Sequence, residues 1–201
     1  MTKDVFVFVE QRDGVILPGG LQCITAAAES AGKTGGRVVA GLIGHNLGAV
    51  ADQLDGTGAG AICTTDAEPL AMYNALKYTR ALAAQIEKAD PQIVLLAASF
   101  MGRDLAPRLA IRLGAGLATD CTEFDIDDAG ALTVKRPIYA GKAFNAVHFN
   151  ASKIQIASVR PNAYPVPAGG GDKAERIDVP FEVDTADDRQ VTKEIARSGG
   201  G

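Results

Sequence analysis

The stretch SFMGRDLAPRLAIRLGAGLATD (Ser99–Asp120) decides the fold of this chain. It follows the apolar run Ile93–Ala98, which is typical of a strand buried on both faces of a sheet. Within the stretch, Leu105, Leu109 and Leu113 recur at helical spacing and form the centre of an apolar stripe. The pattern predicts a buried strand, a helix and a return into a second strand, which together make half of a βαβ unit.

The ends of this helix can be predicted from its proline and its glycines. Pro107 has no N–H group, so it should lie in the first turn, which favours an N-cap close to Asp104. Gly114 and Gly116 are expected to end the helix, because glycine adopts the left-handed cap conformation at little cost. The polar residues Ser99–Asp104 would then form a loop at the carboxyl end of the strand, where open α/β sheets usually bind ligands.

Strands and helices alternate from the first residues to Asp120, and this alternation predicts a parallel sheet with helices on both faces. The fold class is therefore α/β with a Rossmann-like sheet. The predicted strands are Val5–Val9, Arg37–Ile43, Ala61–Thr64, Ile93–Ala97 and one that starts at Leu117–Thr119. The predicted helices are one that begins near Leu21 and closes at Gly32, a short one over Leu47–Leu54 and a long one over Glu68–Lys88.

After Asp120 the pattern changes, and apolar residues alternate with polar ones as in antiparallel strands. We expect these strands to form hairpins added at one edge of the parallel sheet. They are CTEFDID (121–127), ALTVKRPIY (131–139), AFNAVHF (143–149) and KIQIASVR (153–160), with turns at 128–130, 140–142 and 150–152. We interpret residues 1–165 as one domain and 166–201 as a polar tail, in which Ser198–Gly201 is a glycine-rich linker.

Composition and charge exclude several classes of function. A net charge of −4 gives no global basic field, so we expect no nucleic-acid partner. The sequence shows neither a signal-peptide pattern nor an apolar run long enough to cross a bilayer, so we expect a cytoplasmic protein without membrane insertion. The cysteines Cys23, Cys63 and Cys121 are expected to be buried reduced thiols. The two histidines lack carboxylates at ligand spacing, so we expect no metal site.

No catalytic constellation is evident, so we do not expect an enzyme. Ser99 lacks the surroundings of a nucleophile elbow, and His45 stands alone in a loop. The first strand is followed by EQRDG (10–14) rather than by the glycine fingerprint of dinucleotide-binding proteins. The glycine-rich segment GTGAG (56–60) precedes a strand rather than a helix, which favours a plain connection over a phosphate-binding loop.

Several charged residues are candidates for binding. Arg103, Asp104 and Arg108 suit either recognition of an anion or partner at a helix start, or a solvated helix face with i,i+4 pairs. Arg136 suits either a cofactor held by a partner subunit or the open surface. The carboxylates within 120–128 have no partner base near them in the sequence, so we interpret them as a solvated acidic edge.

Three segments in order resemble the N-terminal domain of the alpha (large) subunit of electron transfer flavoproteins. They are GRDLAPRLAIRLGAGLATDCTE (102–123), KRPIYAGKAFNAV (135–147) and VRPNAYP (159–165). The similarity covers Val5–Pro165. It implies an adenine-nucleotide-hydrolase-like fold and an electron carrier in which FAD performs the chemistry.

The resemblance also implies partners. In that family the N-terminal alpha domain holds a heterodimer together against the beta subunit, and a second alpha domain binds most of the FAD. The complex accepts electrons from acyl-CoA dehydrogenases or other dehydrogenases and passes them to an acceptor. This sequence stops short of the second domain, so the resemblance implies a fragment or a split subunit that binds no FAD on its own.

The resemblance and the added strands together predict a surface for the beta subunit over residues 121–160 and the helix Asp104–Leu113. The predicted contact residues are Arg103, Arg108, Ile138, Tyr139, Phe144 and Val147. Arg136 is predicted to face a flavin or nucleotide in the beta subunit. A free-standing nucleotide-binding α/β module is the alternative hypothesis.

Overall fold

The computed structural model describes residues 2–127, 130–149 and 152–196. Its strands are β1 (Thr2–Phe8), β2 (Gln11–Arg12), β3 (Val15–Ile16), β4 (Val38–Gly44), β5 (Ala61–Asp66), β6 (Pro91–Ala97), β7 (Gly116–Cys121), β8 (Glu123–Ile126), β9 (Leu132–Ile138), β10 (Ala143–His148), β11 (Gln155–Val159) and β12 (Glu175–Asp178). Its α-helices are α1 (Pro18–Thr34), α2 (Gly48–Asp52), α3 (Ala75–Ala89) and α4 (Phe100–Leu113). Short 3-10 turns lie at Glu68–Leu70, Tyr139–Gly141 and Thr185–Arg189.

A seven-stranded parallel sheet in the order β12-β5-β4-β1-β6-β11-β7 forms the centre of the described chain. Val5 and Val7 of β1 pack with the apolar residues of α1, whereas Phe6 and Phe8 pack with those of α3 and α4. Burial on both faces explains why the central strands are continuously apolar rather than alternating. The predicted α/β class is confirmed.

A three-stranded antiparallel sheet, β10-β9-β8, is added beside the edge strand β7. The Thr122 N–H donates to the Lys135 carbonyl at 2.9 Å, which joins the end of β7 to β9. Ile126, Leu132 and Val134 are buried in the core that also contains α1. The prediction of antiparallel strands at one edge is therefore confirmed for the first three segments.

The fourth segment, KIQIASVR, was wrongly predicted to be antiparallel. It forms β11, which lies parallel between β6 and β7 in the main sheet. All of Gln155–Val159 is buried, and the Gln155 side chain accepts a hydrogen bond from the Leu132 N–H at 2.7 Å. Its alternation of polar and apolar residues reflects small and hydrogen-bonded side chains in the interior rather than one solvated face.

The helix α4 starts earlier than its proline suggests. Its N-cap is Ser99 rather than Asp104, and the Ser99 hydroxyl accepts a hydrogen bond from the Gly102 N–H at 2.9 Å. The polar residues expected to form a loop are thus its first turn, and Pro107 lies inside the helix. Gly114 ends the helix with φ 60°, as predicted, whereas the second glycine of that pair begins β7.

Two other helices also differ from their predicted bounds. The predicted helix Glu68–Lys88 is divided into the 3-10 turn and α3, which begins after Asn74 because the Asn74 side chain accepts from the N–H groups of Leu76 and Lys77 at 3.1 and 3.0 Å. The helix α1 continues past Gly32 and ends at Gly35, which has φ 71°.

The segment after Pro165 contributes to the main sheet. The strand β12 pairs in parallel with β5, so the sheet extends past the boundary at residue 165 that the sequence suggests. Residues 179–192 then cross α3, and we call this segment the strap. The Phe181 ring lies 4.6 Å from the guanidinium carbon of Arg80, and the Asn74 amide donates to the Gln190 carbonyl at 2.6 Å.

Some predictions concern residues outside the described ranges. The turns expected at 128–130 and 150–152 lie partly outside them, and the linker Ser198–Gly201 lies wholly outside.

Within the part of the chain that the structure describes, no helix is both long enough and apolar enough to span a bilayer.

Candidate partner interface and arginine cluster

The helix α4 has an apolar stripe on its outer face as well as on its inner face. Leu105 and Leu109 are fully buried against the sheet. Phe100 and Ile111 are 95% and 85% exposed, and their separation of about eleven residues, close to three turns of 3.6 residues each, puts them on the same side of the helix. The exposed Pro107 lies between them. We call Phe100, Pro107 and Ile111 the α4 stripe.

Arginines lie on both sides of the α4 stripe. Arg103 and Arg108 are exposed, and the Arg108 guanidinium donates to the Asp104 carboxylate at 3.0 Å as an i,i+4 pair. The Tyr73 hydroxyl donates to the same carboxylate at 2.6 Å. Burial alone would raise the pKa of Asp104, but these two hydrogen bonds lower it below its ordinary value. Asp104 therefore stays charged, and its ion pair orients the Arg108 side chain along the helix surface.

Asp120 lies at the carboxyl end of β7 and is bound by an arginine that lies distant in sequence. The Arg160 guanidinium donates to both carboxylate oxygens of Asp120, at 3.0 and 2.6 Å. The Asp120 N–H donates to the Ser158 hydroxyl at 2.9 Å, and the Asp120 backbone has φ 60°. The interpretation of Asp120 as a solvated carboxylate without a basic partner is thus wrong, because β11 brings Arg160 beside it.

Three arginines from different elements act on this one carboxylate. The hydrogen bonds from Arg160 lower the pKa of Asp120, and the positive charges of Arg103 and Arg136 lower it further. We call Arg103, Arg136 and Arg160 the arginine cluster. Three guanidinium groups against one carboxylate leave two positive charges in excess. No ion pair within 4 Å is found for Arg103 or Arg136 among the described residues.

The remaining predicted contact residues lie on β9, β10 and the turn between them. Tyr139 and Phe144 are 78% and 56% exposed, and Ile138 is half-buried. Val147 is half-buried against the core and lines a cavity of about 430 Å³ beside Gly116, at the amino end of β7. The structure therefore brings Arg103 and Arg136 toward the same carboxylate, whereas Val147 lies at the opposite end of that strand.

The other acidic residues of this region are also paired. Asp125 forms an ion pair with Lys33 at 2.5 Å, and Glu123 forms one with Lys135 at 2.5 Å. All four side chains are more than half exposed. Such pairs contribute little to stability, typically under about 1 kcal/mol. They nevertheless mean that the acidic edge is partly neutralised, which leaves the arginine cluster as the distinctive charge feature.

The described residues do not fit the pyrophosphate of FAD at the end of β1. Glu10 occupies the turn where a glycine-rich phosphate loop would lie, and its side chain is 4% exposed and hydrogen-bonded to the Ser99 hydroxyl. A buried carboxyl group repels a diphosphate. Gly56 instead packs against the backbone of Gly171, whose N–H donates to the Gly56 carbonyl at 3.2 Å. This agrees with a plain connection at GTGAG.

Metal and thiol chemistry find no support in the described ranges. No group of three or more potential metal ligands occurs there. His45 lies 3.5 Å from the exposed Asp66 carboxylate, a simple surface contact. All three cysteines are buried and unpaired, as predicted, and burial raises the pKa of Cys63 and Cys121 to about 12. Such thiols are inert at neutral pH.

Sequence reasoning missed Phe100, Ile111 and Arg160 as candidate binding residues. Phe100 and Ile111 could have been found, because both fall opposite the leucine stripe in the helical pattern. Arg160 could not, because its pairing with Asp120 depends on the position of β11 in the sheet.

Comparison with known proteins gives one family. The electron transfer flavoprotein domain family matches residues 5–184. The chain is 36% identical over 159 residues to the electron transfer flavoprotein subunit alpha of Thermoanaerobacterium thermosaccharolyticum, which covers 79% of this chain and 48% of that protein. It is 32% identical over 200 residues to the subunit of the same name in Bacillus subtilis, covering 98% of this chain and 59% of that protein.

A further relative has a name that specifies its reaction partner. The chain is 35% identical over 125 residues to the acryloyl-CoA reductase electron transfer subunit beta of Anaerotignum propionicum, covering 62% of this chain and 34% of that protein. The chain spans about half the length of the two alpha subunits named above, 48% and 59%. The family match extends over most of the described residues, from β1 to beyond β12. The chain therefore belongs to the electron transfer flavoprotein family.

Proposed function

We propose that this chain is the N-terminal α/β domain of an alpha-type electron transfer flavoprotein subunit and that it holds a beta-type subunit in place. The observation that carries the proposal is the exposed α4 stripe beside the arginine cluster, on a chain of this family. Exposed aromatic side chains next to arginines are the composition that interface centres favour.

The proposed contact surface joins two regions whose elements, α4 and β9, both pack against the edge strand β7. One region is the α4 stripe with Arg103 and Arg108. The other consists of Ile138, Tyr139, Phe144 and Val147 on the added strands, of which Tyr139 and Phe144 have the largest exposed fractions. A stable interface buries about 1,600 Å² in total. Both regions are therefore proposed to contribute to the contact.

Arg136 is proposed to face a flavin or nucleotide held by the beta-type subunit. Its support is the charge of Arg136, because the carboxylate on which that charge acts, Asp120, is already bound by Arg160. A guanidinium with free donors binds a phosphate in a two-point geometry.

The chemistry is proposed to belong to FAD held mainly outside the described residues, in a second alpha-type domain to which residues 166–201 would lead. Its support is the poor fit of a diphosphate beside Glu10. The domain would then be an electron carrier's scaffold rather than an enzyme. The relative named for acryloyl-CoA reductase supports acyl-CoA oxidoreductases among the electron-transfer partners. Three buried free thiols support a reducing compartment, the cytoplasm.

The alternative, a free-standing nucleotide-binding α/β module, has less support. Nucleotide sites of open α/β sheets use a glycine-rich turn and a helix N-terminus at the switch point. The carboxyl group of Glu10 occupies that place in this chain.

Co-expression with a beta-type subunit tests the proposal. The complex is measured by size-exclusion chromatography for the wild-type chain and for Phe100→Asp and Tyr139→Asp, each of which places a charge in the proposed contact. We expect both variants to elute apart from the partner while keeping the wild-type circular dichroism spectrum.

Val183→Asp is the matched control, because Val183 is 60% exposed and follows β12 at the other edge of the sheet. It should elute with the partner. Co-elution of both Phe100→Asp and Tyr139→Asp with the partner would show that the interface lies elsewhere. If the wild-type chain forms no complex with the beta-type subunit, the proposed function is wrong.

A further inference from the structure

The strands β1 and β6 are neighbours whose connections leave in opposite directions. The chain passes from β1 through α1 toward β4, and from β6 through α4 toward β7 on the other side. The crevice at such a switch point is where open α/β sheets bind ligands. In this chain it contains a cavity of about 210 Å³, lined by residues that follow β1, β6 and β11. Its position, rather than its size, makes it a candidate site.

Four polar side chains line this cavity, those of Glu10, Gln22, Ser99 and Asn162. The Gln22 amide is bound by Asn162 at both its nitrogen and its oxygen, and Glu10 is the titratable group among the four. The Ser99 hydroxyl bonds to Oε1 of Glu10. The other oxygen, Oε2, has no hydrogen-bond partner among the described residues. Burial raises the pKa of Glu10, although the hydrogen bond from Ser99 and the charge of the exposed Arg12 oppose that rise. A buried carboxyl without an ion pair destabilises a fold, and such groups are found at functional sites.

The walls around Glu10 are mostly apolar and closely built. Leu17, Pro18 and Pro161 line the cavity. Gly20 lets the start of α1 approach the end of β1, because a Cβ there would lie 2.8 Å from Val9 Cγ1. A ligand must therefore be compact and largely apolar, with a polar group aimed at Glu10.

The carboxyl group also determines the polarity of the ligand. When Glu10 is ionised, its carboxylate carries a full negative charge. The start of α1 contributes only about half a positive charge, so the net charge of the cavity disfavours an anionic ligand. An amino group beside a ring nitrogen matches a carboxyl group through two hydrogen bonds. One of the two hydrogen bonds joins a carboxyl oxygen to the ring nitrogen through a single proton. The pairing therefore forms both between a protonated carboxyl group and a neutral ring and between a carboxylate and a protonated ring. A carboxamide meets both oxygens only when the carboxyl group is protonated. An amidinium or guanidinium group does so only with its fixed charge buried among apolar walls, which is costly.

We propose that the cavity between β1 and β6 binds a compact heteroaromatic molecule with an amino group next to a ring nitrogen, and that Glu10 recognises it. The cavity is smaller than the roughly 300–1,000 Å³ of sites for drug-sized ligands, which limits the ligand to one or two rings. The site goes beyond the proposed scaffold function and needs no partner subunit.

A titration of the 201-residue chain followed by NMR tests this site. The probe is 2-aminopyridine, and its matched control is 2-methylpyridine, in which a methyl group replaces the amino group. We expect 2-aminopyridine to shift the amide signals of Gly19, Gly20 and Gly102, which lie beside the cavity or the Ser99 cap. The control should bind about tenfold more weakly or worse, since it lacks a hydrogen bond to a charged group.

Variants of the chain identify the recognising group. Glu10→Gln keeps the shape but replaces an acceptor with a donor, and should weaken 2-aminopyridine binding about tenfold or more. Glu87→Gln, an exposed site on α3, is the control and should bind as the wild type does. Leu17→Phe narrows the cavity without changing Glu10 and should also weaken binding.

Three results would overturn the proposal. They are the absence of shifts at the named amides, equal affinity for the two pyridines, and wild-type affinity in Glu10→Gln. If the amide spectrum shows that Glu10→Gln does not fold, Leu17→Phe decides, and wild-type affinity in that variant overturns the proposal. None of these results depends on association with a beta-type subunit, so the scaffold function is tested separately.

Discussion

At the scale of single residues, Asp120 connects the core to the candidate interface. Its left-handed φ of 60° is one that aspartate and asparagine tolerate better than most residues. This backbone turn directs the carboxylate toward Arg160, and the pair lies beside Arg103 and Arg136. The sequence alone could identify Arg103 and Arg136 as candidates, but neither Arg160 nor the carboxylate on which all three arginines act.

Asp120→Asn should lower the free energy of unfolding by up to about 1 kcal/mol at neutral pH, the range of partly exposed ion pairs. Because the pKa of Asp120 is lower in the folded chain than in the unfolded chain, the contribution of the pair is complete above the pKa of the unfolded chain. Its contribution is lost as the pH falls through the lowered value. Urea unfolding of both proteins between neutral and acidic pH measures the difference, which should shrink on acidification. A difference that is independent of pH would contradict this role.

At the scale of elements, the helix α4 shows where sequence patterns succeed and fail. The leucine spacing correctly predicts the helix and its buried face. Its start was predicted wrongly. An interior proline destabilises a helix by about 3 kcal/mol in general, so the sequence favoured a start that places Pro107 in the first turn. Here Gly102 permits the earlier start, since a Cβ at that position would lie 1.9 Å from the Ala97 carbonyl oxygen. The spacing of apolar residues does not predict this close approach between the end of β6 and the start of α4.

The strap is the second element that the sequence did not predict. Asp187 is 6% exposed and forms an ion pair with Arg80, whose guanidinium also lies over Phe181. The Thr192 hydroxyl donates to the Tyr73 carbonyl at 2.7 Å. These contacts fix a polar segment across α3, although its composition resembles that of a flexible tail.

Two substitutions at Asn74 separate its role as helix cap from its role as strap anchor. Asn74→Asp keeps an oxygen that can cap α3 but loses the donor to the Gln190 carbonyl, so it should retain helix stability and loosen the strap. Asn74→Ala should lose both functions and lower the free energy of unfolding by about 1–2 kcal/mol. Hydrogen exchange of residues 185–192 and urea unfolding measure the two effects. Equal exchange of that segment in Asn74→Asp and wild type would contradict the anchoring role.

At the scale of the whole molecule, local pattern predicts the class of fold but not the full order of its strands. The alternation of apolar runs and helices correctly predicts a parallel sheet covered on both faces. The positions of β11 and β12 depend on pairing between segments distant in sequence, and period alone does not specify that pairing. The same limit applies to the candidate site, because Arg103, Arg136 and Arg160 come from three such segments.

Hydrogen exchange of the chain with and without a beta-type subunit tests the central claim most directly. Protection that appears only in the complex should map to the α4 helix, Phe100–Leu113, and to the added strands from Arg136 to Phe144. The strap and β12 should exchange at the same rate in both samples. Protection confined to β12 and the strap, with unchanged exchange over α4 and β9–β10, would contradict the proposed interface.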